Sequence, residues 1–327
     1  MEYARLGPTG LNVSRVCLGA ALFGLAPLEE DAPALVNRAL DLGINFFDVA
    51  NSYGNRPSFD RPGLPTHDQR KSAEEIIGAI LRPRRAEVVL ASKLGEPIYD
   101  GPNGRGLSRV HVMRAAEDSL RRLGTDYIDL YYAHHPDPNT PIDETLRAME
   151  DLIRAGKVRY FALSNYAGWQ TAEAVLTART LGGAAAPVCN QVRYSLASRA
   201  VEREVVPACE RFGLSVLPYS PLGGGLLSGA ANTRRPIAGV QRWRGGGPGY
   251  APEQVAVAER MDALGAEWGH HPTHLALAWL LAKPAVASVV IGASRVASLE
   301  EAAGAVDARL APEQLETLDG VGAGLSA

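Results

Sequence analysis

The sequence predicts an α/β fold: a (β/α)8 TIM barrel with an N-terminal β-hairpin and long loops on its C-terminal face, residues 1–327 forming one domain. Three observations predict it. Eight short apolar runs alternate with stretches of helical period. The polar residues that close several of those runs are chemically reactive types. The length of 327 residues, 46% of them hydrophobic and 21% charged, lies in the usual range of one such barrel.

In chain order, the segment from Arg5 to Val13 reads as a small hairpin, because Gly7-Pro8-Thr9-Gly10 is dense in turn formers between short apolar flanks. It is placed to close the bottom of the barrel. Strands are predicted at Val16–Leu18, Phe46–Val49, Val88–Ser92, Tyr127–Tyr132, Tyr160–Leu163, Val188–Val192, Ser215–Pro218 and Ser288–Ile291. Between them, helices are predicted near Ala34–Leu42, Ala73–Leu81, Arg109–Leu123, Glu144–Ala155, Gln170–Ala178, Glu202–Phe212 and Pro252–Trp268. The third shows the reasoning. Val112, Ala115, Ala116, Ser119, Leu120 and Leu123 share one face, Arg114, Glu117 and Arg121 another, and Gly124 ends it. A further helical piece near Thr273–Ala282, a closing helix after Gly292 and a short one at Glu313–Leu318 complete the pattern, before a Gly-rich tail expected to fray. A doubly wound sheet fits less well. It normally uses fewer strands and opens with a glycine fingerprint, which Gly19-Ala20-Ala21-Leu22-Phe23-Gly24 lacks.

Three connections are long: Asn55–Lys71, Gly95–Leu107 and Gly223–Tyr250. All follow strands, on the face where barrels carry their chemistry, and three on one rim read as lids. The net charge of −3 offers no basic field for nucleic acid or anionic membrane, and no apolar run approaches the roughly 20 residues of a spanning helix. The N-terminus lacks a basic region followed by a long apolar core, so a cytoplasmic protein is expected, a monomer or homo-oligomer. Cys17, Cys189 and Cys209 are odd in number and form no Cys-x-x-Cys pair, which points to buried free thiols.

Four residues at or beyond strand ends carry the functional reading. Asp48 closes the second strand, Tyr53 follows one turn later, Lys93 ends the third run and His134 the fourth. Lysine is scarce here, limited to Lys71, Lys93, Lys157 and Lys283, so abundance does not explain one at a strand end. An unperturbed phenol, with a pKa of about 10, is a poor acid-base group at neutral pH and needs a cation beside it. A lysine ammonium at about 4 Å, with an effective dielectric near 20, is worth roughly 4 kcal/mol, or about three pKa units toward phenolate. Asp48 would hold Lys93 charged, and His134 would hydrogen-bond the substrate oxygen or relay a proton. Alone, Asp48 with Lys93 fits a structural ion pair and Tyr53 a rim aromatic; the conjunction points to catalysis. No metal is expected from His134, His135 and Asp137, because adjacent strand residues face opposite ways and no third histidine is near.

At these residues the chain resembles the aldo-keto reductase superfamily, from Leu6-Gly7 to about Ala305. The likeness rests on Gly43-Ile44-Asn45-Phe46-Phe47-Asp48 with Tyr53-Gly54, Ser72-Ala73-Glu74-Glu75-Ile76-Ile77-Gly78 and Ala91-Ser92-Lys93. It continues through Asp126-Tyr127-Ile128-Asp129-Leu130-Tyr131 ending at His134, Gly156-Lys157-Val158-Arg159 and Leu163-Ser164-Asn165. The resemblance implies that Asp48, Tyr53, Lys93 and His134 are a catalytic tetrad, with Tyr53 the proton donor when a small-molecule carbonyl is reduced. It also implies NADPH extended over the barrel mouth. Ser164, Asn165 and Gln191 would take the carboxamide, Tyr219 would stack on the nicotinamide, and Ser220, Leu222, Gly223 and Gly225 would form the pyrophosphate loop. Gly292, Ser294 and Arg295 resemble the segment that holds the adenosine 2′-phosphate. The chain departs from the family pattern at Ala20, Ser298 and Ala302. The last two leave Arg295 and Glu301 as the candidates at the adenosine end and keep NADH open. A nucleotide-sensing subunit like those attached to potassium channels, which retain the same residues, is the second functional class, and a Schiff-base aldolase using Lys93 a third.

Overall fold

A computed structural model describes residues 1–234 and 250–322. Its first feature is the hairpin. Strands β1 (Tyr3–Arg5) and β2 (Asn12–Ser14) pair antiparallel, Ala4 opposite Val13. Gly7, at φ +52°, permits the turn, and a Cβ there would lie 2.0 Å from the carbonyl oxygen of Val188. Its N–H donates to Ser215 Oγ at 2.7 Å, while Leu6 and Val13 are fully buried among the lumen side chains. The hairpin therefore plugs the bottom of the barrel, as its turn chemistry predicts.

The barrel strands are β3 (Val16–Gly19), β4 (Phe46–Asp48), β5 (Val89–Leu94), β6 (Ile128–Ala133), β7 (Val158–Ser164), β8 (Cys189–Arg193), β9 (Ser215–Tyr219) and β10 (Val289–Gly292). All pair parallel, and β10 bonds to both β3 and β9, closing the eight-stranded barrel. Around it run α1 (Ala32–Asp41), α2 (Ala73–Leu81), α3 (Arg109–Leu123), α4 (Ile142–Arg154), α5 (Gly168–Thr180) and α6 (Val205–Phe212). The chain continues through α7 (Ala230–Thr233), α8 (Pro252–Trp268), α9 (Pro272–Leu281), α10 (Val296–Ala303) and α11 (Pro312–Asp319). Two cores result. One fills the lumen with Cys17, Phe46, Val89, Leu130, Tyr132, Cys189 and Leu217; the other lies between strands and helices. Cys17, Cys189 and Cys209 are buried and unbridged, as expected.

Local chemistry explains the helix bounds. Ser72 and Glu75 form a reciprocal capping box at the start of α2, and Ser108 caps α3, which stops at Gly124 in the left-handed region, φ +63°. The helix expected from Glu202 begins later, at Val205. Glu202 is held by Arg199 and Tyr194, and Glu204 leaves helical geometry at φ −142°. A buried carboxylate ties three elements together: Glu74 of α2 accepts from Ser92 Oγ of β5 at 2.6 Å and from Arg122 of α3 at 2.7 Å. Most of the long connection after β9, residues 235–249, and the Gly-rich tail, 323–327, lie outside the described residues.

Candidate active site

Strand alternation decides which side chains reach the mouth. Phe46, Ala91, Tyr132, Ala162, Cys189 and Leu217 point into the lumen. Two residues further along their strands, Asp48, Lys93, Ser164, Gln191 and Tyr219 share that direction at the C-terminal rim, and His134 follows immediately after the end of β6. Lys93 sits inside β5, not past its end as the predicted strand bounds placed it.

Lys93 is fully buried and Asp48 is 3% exposed. The ammonium donates to Asp48 Oδ2 and, at 3.2 Å, to the carbonyl of Val49; the other Asp48 oxygen accepts from Gln191 Nε2 at 2.9 Å. Tyr53 is half-buried, its ring centroid 5.0 Å from the ammonium and its Oη 3.4 Å from His134 Nε2. Its loop is fixed because Ala73 N–H donates to the Tyr53 carbonyl at 3.0 Å. Gly54, at φ +89°, leaves no room for a Cβ, which would lie 2.9 Å from Ala73 N. The four side chains therefore meet in one mouth, through a turn that only glycine permits.

The electrostatics correct one expectation. The phenol of Tyr53 is raised, not lowered, from its ordinary value: burial is the largest influence, and Lys93 opposes it without overcoming it. For Lys93 the balance runs the other way. Burial works to lower the ammonium, but the charges of Asp48 and Tyr53 leave it raised. His134 is held well below the usual imidazole value by burial first and by the positive charge of Lys93 next, so its ring is neutral at physiological pH.

The candidates for cofactor contact lie around this centre. Asn165 stands at φ +62°, costly for a residue with a Cβ; its amide donates to His134 O and Ser164 Oγ, and its Oδ1 accepts from Tyr219 at 3.0 Å. Ser220, at φ +51°, is the other non-glycine residue with positive φ among those described, so both strained positions cap strands at this mouth. Beyond Leu222, Gly223, Gly224 and Gly225 run at φ +59°, +71° and +96°, and a Cβ on either of the last two would touch nothing. That bare backbone suits close approach by a diphosphate. Gly292 is similarly open at the end of β10, followed by half-buried Ser294 and exposed Arg295, which makes no ion pair among the described residues. Glu301 is more committed, accepting from Thr273 Oγ1 at 2.6 Å and pairing with His271 at 3.2 Å.

Comparison with known proteins agrees with this geometry. The Aldo/keto reductase family model matches residues 15–323. The chain belongs to the aldo/keto reductase family. It is 40% identical to an uncharacterized oxidoreductase, YrpG, of Bacillus subtilis, covering 98% of this chain and 96% of that one. It is 33% identical to a probable voltage-gated potassium channel subunit beta of Oryza sativa subsp. japonica, over 98% and 96%. Identity to L-glyceraldehyde 3-phosphate reductase of Escherichia coli K12 is 31%, over 92% and 86%. Family and oxidoreductase relatives together make this aldo/keto reductase a nicotinamide-dependent oxidoreductase acting on carbonyl and alcohol groups. Among the described residues, no helix is long and apolar enough to cross a membrane.

This aldo/keto reductase also carries residues at its mouth that the sequence reading passed over. Asn51 is 4% exposed, and both polar atoms of its side-chain amide lack partners among the described residues. Phe59, in a short 3-10 turn at Pro57–Phe59, meets the Tyr53 ring edge-on at 6.4 Å. The expectation that His134 and His135 face opposite ways is overturned. Strand β6 ends at Ala133, so alternation no longer applies, and the two rings stack 4.9 Å apart at 14°. Their adjacency was the available signal.

Proposed function

We propose that this protein reduces an aldehyde or ketone to an alcohol with NADPH, Tyr53 donating the proton. The observation that carries the reading is a single phenol placed between a buried, Asp48-bound ammonium and a neutral imidazole, at a mouth ringed by glycine backbone and strained turns. When bound, the nicotinamide nucleotide supplies the hydride. Ser164, Asn165, Gln191 and Tyr219 would hold its carboxamide end, Ser220, Leu222, Gly223 and Gly225 its diphosphate, and Gly292, Ser294, Arg295 and Glu301 its adenosine end. NADPH is favoured over NADH because Arg295 has a guanidinium fork to offer a phosphate.

Within the protein each residue then has one task. Tyr53, with its pKa raised, keeps its proton at neutral pH and is a donor in the direction of reduction. Lys93 favours the phenolate left behind, since its ammonium opposes the effect of burial. Asp48 keeps that ammonium in place, and Gln191 keeps Asp48 in place. His134, neutral and 3.4 Å from Tyr53 Oη, offers a hydrogen bond to a substrate oxygen seated beside the phenol.

The channel-subunit relatives favour a second reading, in which nucleotide occupancy regulates a partner protein. Turnover discriminates the two. Steady NADPH consumption with aldehydes, diketones, sugars or steroid ketones supports the reductase. Tight NADPH binding with no turnover across those four classes supports the sensor.

A further inference from the structure

Glu96, His134 and His135 each present one ligand atom, and the three atoms lie within 4.8 Å of one another. We infer that these residues bind a borderline-soft divalent cation, Zn2+ being the type case, and that its binding reversibly inhibits the enzyme. Two imidazoles and a carboxylate are a donor set that zinc accepts, with a fourth position left open.

The geometry supports each ligand. His134 turns Nε2 toward Tyr53 at 3.4 Å, while its buried Nδ1 has no hydrogen-bond partner among the described residues. His135 Nε2 already sits 3.1 Å from Glu96 Oε1, so that pair converges without an ion. Both partners have room to adjust, their side chains being 53% and 32% exposed. For three atoms up to 4.8 Å apart to reach Zn–N and Zn–O distances of about 2.0–2.2 Å, each must close in by less than roughly 1 Å. An open cleft of about 600 Å³, bordered by Glu96 and His135, gives the ion an entry path.

Two positive groups oppose the ion: the Asp48-bound Lys93 and Arg56, whose charge reaches both His134 and Glu96. They weaken binding, and removing Arg56, which forms no ion pair among the described residues, strengthens it. Inhibition follows from position. An ion held by His134 commits its imidazole to the metal, so that the ring is no longer free to hydrogen-bond a substrate oxygen beside the phenol. This inhibitory step rests on the proposed reductase reading; the binding step does not.

The test therefore reads binding directly. The full chain, stripped with EDTA, is titrated with Zn2+ by calorimetry, and Co2+ is added separately to look for the visible absorption of a low-coordinate site. One Zn2+ per chain is expected, with affinity falling roughly tenfold or more in H135A and E96Q and rising in R56Q. Carbonyl reduction by E96Q without metal is expected at the wild-type level. In wild type, Zn2+ should suppress turnover and EDTA should restore it. Wild-type affinity retained in both H135A and E96Q, or no stoichiometric binding at all, overturns the site. Stoichiometric binding with undiminished turnover overturns the inhibitory step alone. If no carbonyl is reduced under any condition, the reductase reading fails while the calorimetry still decides the site.

Discussion

Tyr53→Phe removes one oxygen and leaves the ring. The packing that holds the ring survives: Phe59 stays edge-on at 6.4 Å, and the Lys93 ammonium, 5.0 Å from the centroid, keeps Asp48 and the Val49 carbonyl. Within the protein the substitution gives up the 3.4 Å contact to His134, at the long end for a hydrogen bond and worth no more than about 1 kcal/mol to stability. Loss of a positioned acid is larger, a factor of roughly 100 to 10,000 in rate, or about 2.7–5.4 kcal/mol in the barrier. Chemistry and folding are thus separated by a single atom. Initial rates at saturating aldehyde, read from NADPH absorbance, give kcat; fluorescence titration gives the cofactor Kd, and a urea melt gives stability. The expected result is kcat down by at least about 100-fold, with Kd and stability nearly unchanged. A kcat within about threefold of wild type would refute the assignment of the proton to Tyr53.

Since the phenol of Tyr53 is raised, its proton is lost only above the ordinary value of about 10. The rate of reduction should stay level from neutral pH to about pH 9 and fall beyond 10; a fall centred near pH 7 would contradict the donor role. Arg295→Ala should weaken NADPH by roughly tenfold or more and leave NADH nearly unaffected, as measured by paired titrations. Equal losses would show that Arg295 does not read the phosphate. Glu74→Ala strands the Arg122 guanidinium and the buried Ser92 hydroxyl, at a cost of roughly 3 kcal/mol in the urea unfolding free energy, with kcat unchanged in the folded protein. An unaltered unfolding midpoint would mean that this pair contributes nothing.

Much of this fold is legible because the two periodicities differ. Ala73–Leu81, Arg109–Leu123 and Pro252–Trp268 read as helices to the residue, since each has a cap or stop signal at its ends. The convergence of Asp48, Lys93 and His134 is legible for a related reason. Asp48 and Lys93 each lie two residues beyond a lumen-facing side chain of the same strand, so the parity that buries Phe46 and Ala91 also aims them. The apolar run of β6 delivers His134 to the same rim as the first residue past its end. What escapes is set by contacts between loops. Glu96 and His135 meet across two connections, and Phe59 reaches Tyr53 through a turn with no periodic signal. The direction of the Tyr53 shift escapes for another reason. A pairwise Coulomb estimate contains the ammonium but not the depth of burial, and burial is the larger effect here.

That competition clarifies why a buried ion pair lies under the phenol. Asp48 and Lys93 are a poor means of stabilising a fold, because withdrawing both charges from water offsets most of their attraction. As a positioning device the pair has a different value. The carboxylate spends one oxygen on Lys93 and the other on Gln191, linking β4, β5 and β8 at the height where Tyr53 and His134 meet. Burial keeps the proton on Tyr53 until it is needed; the fixed ammonium limits how far the phenol's pKa rises and favours the anion once the proton leaves. Neither influence requires reorganisation during the reaction, which is the condition under which electrostatic stabilisation is most effective. The two strained turns at Asn165 and Ser220 fit the same logic: backbone free energy is spent at this rim, where orientation matters, and the parity-driven packing of the lumen below tolerates it.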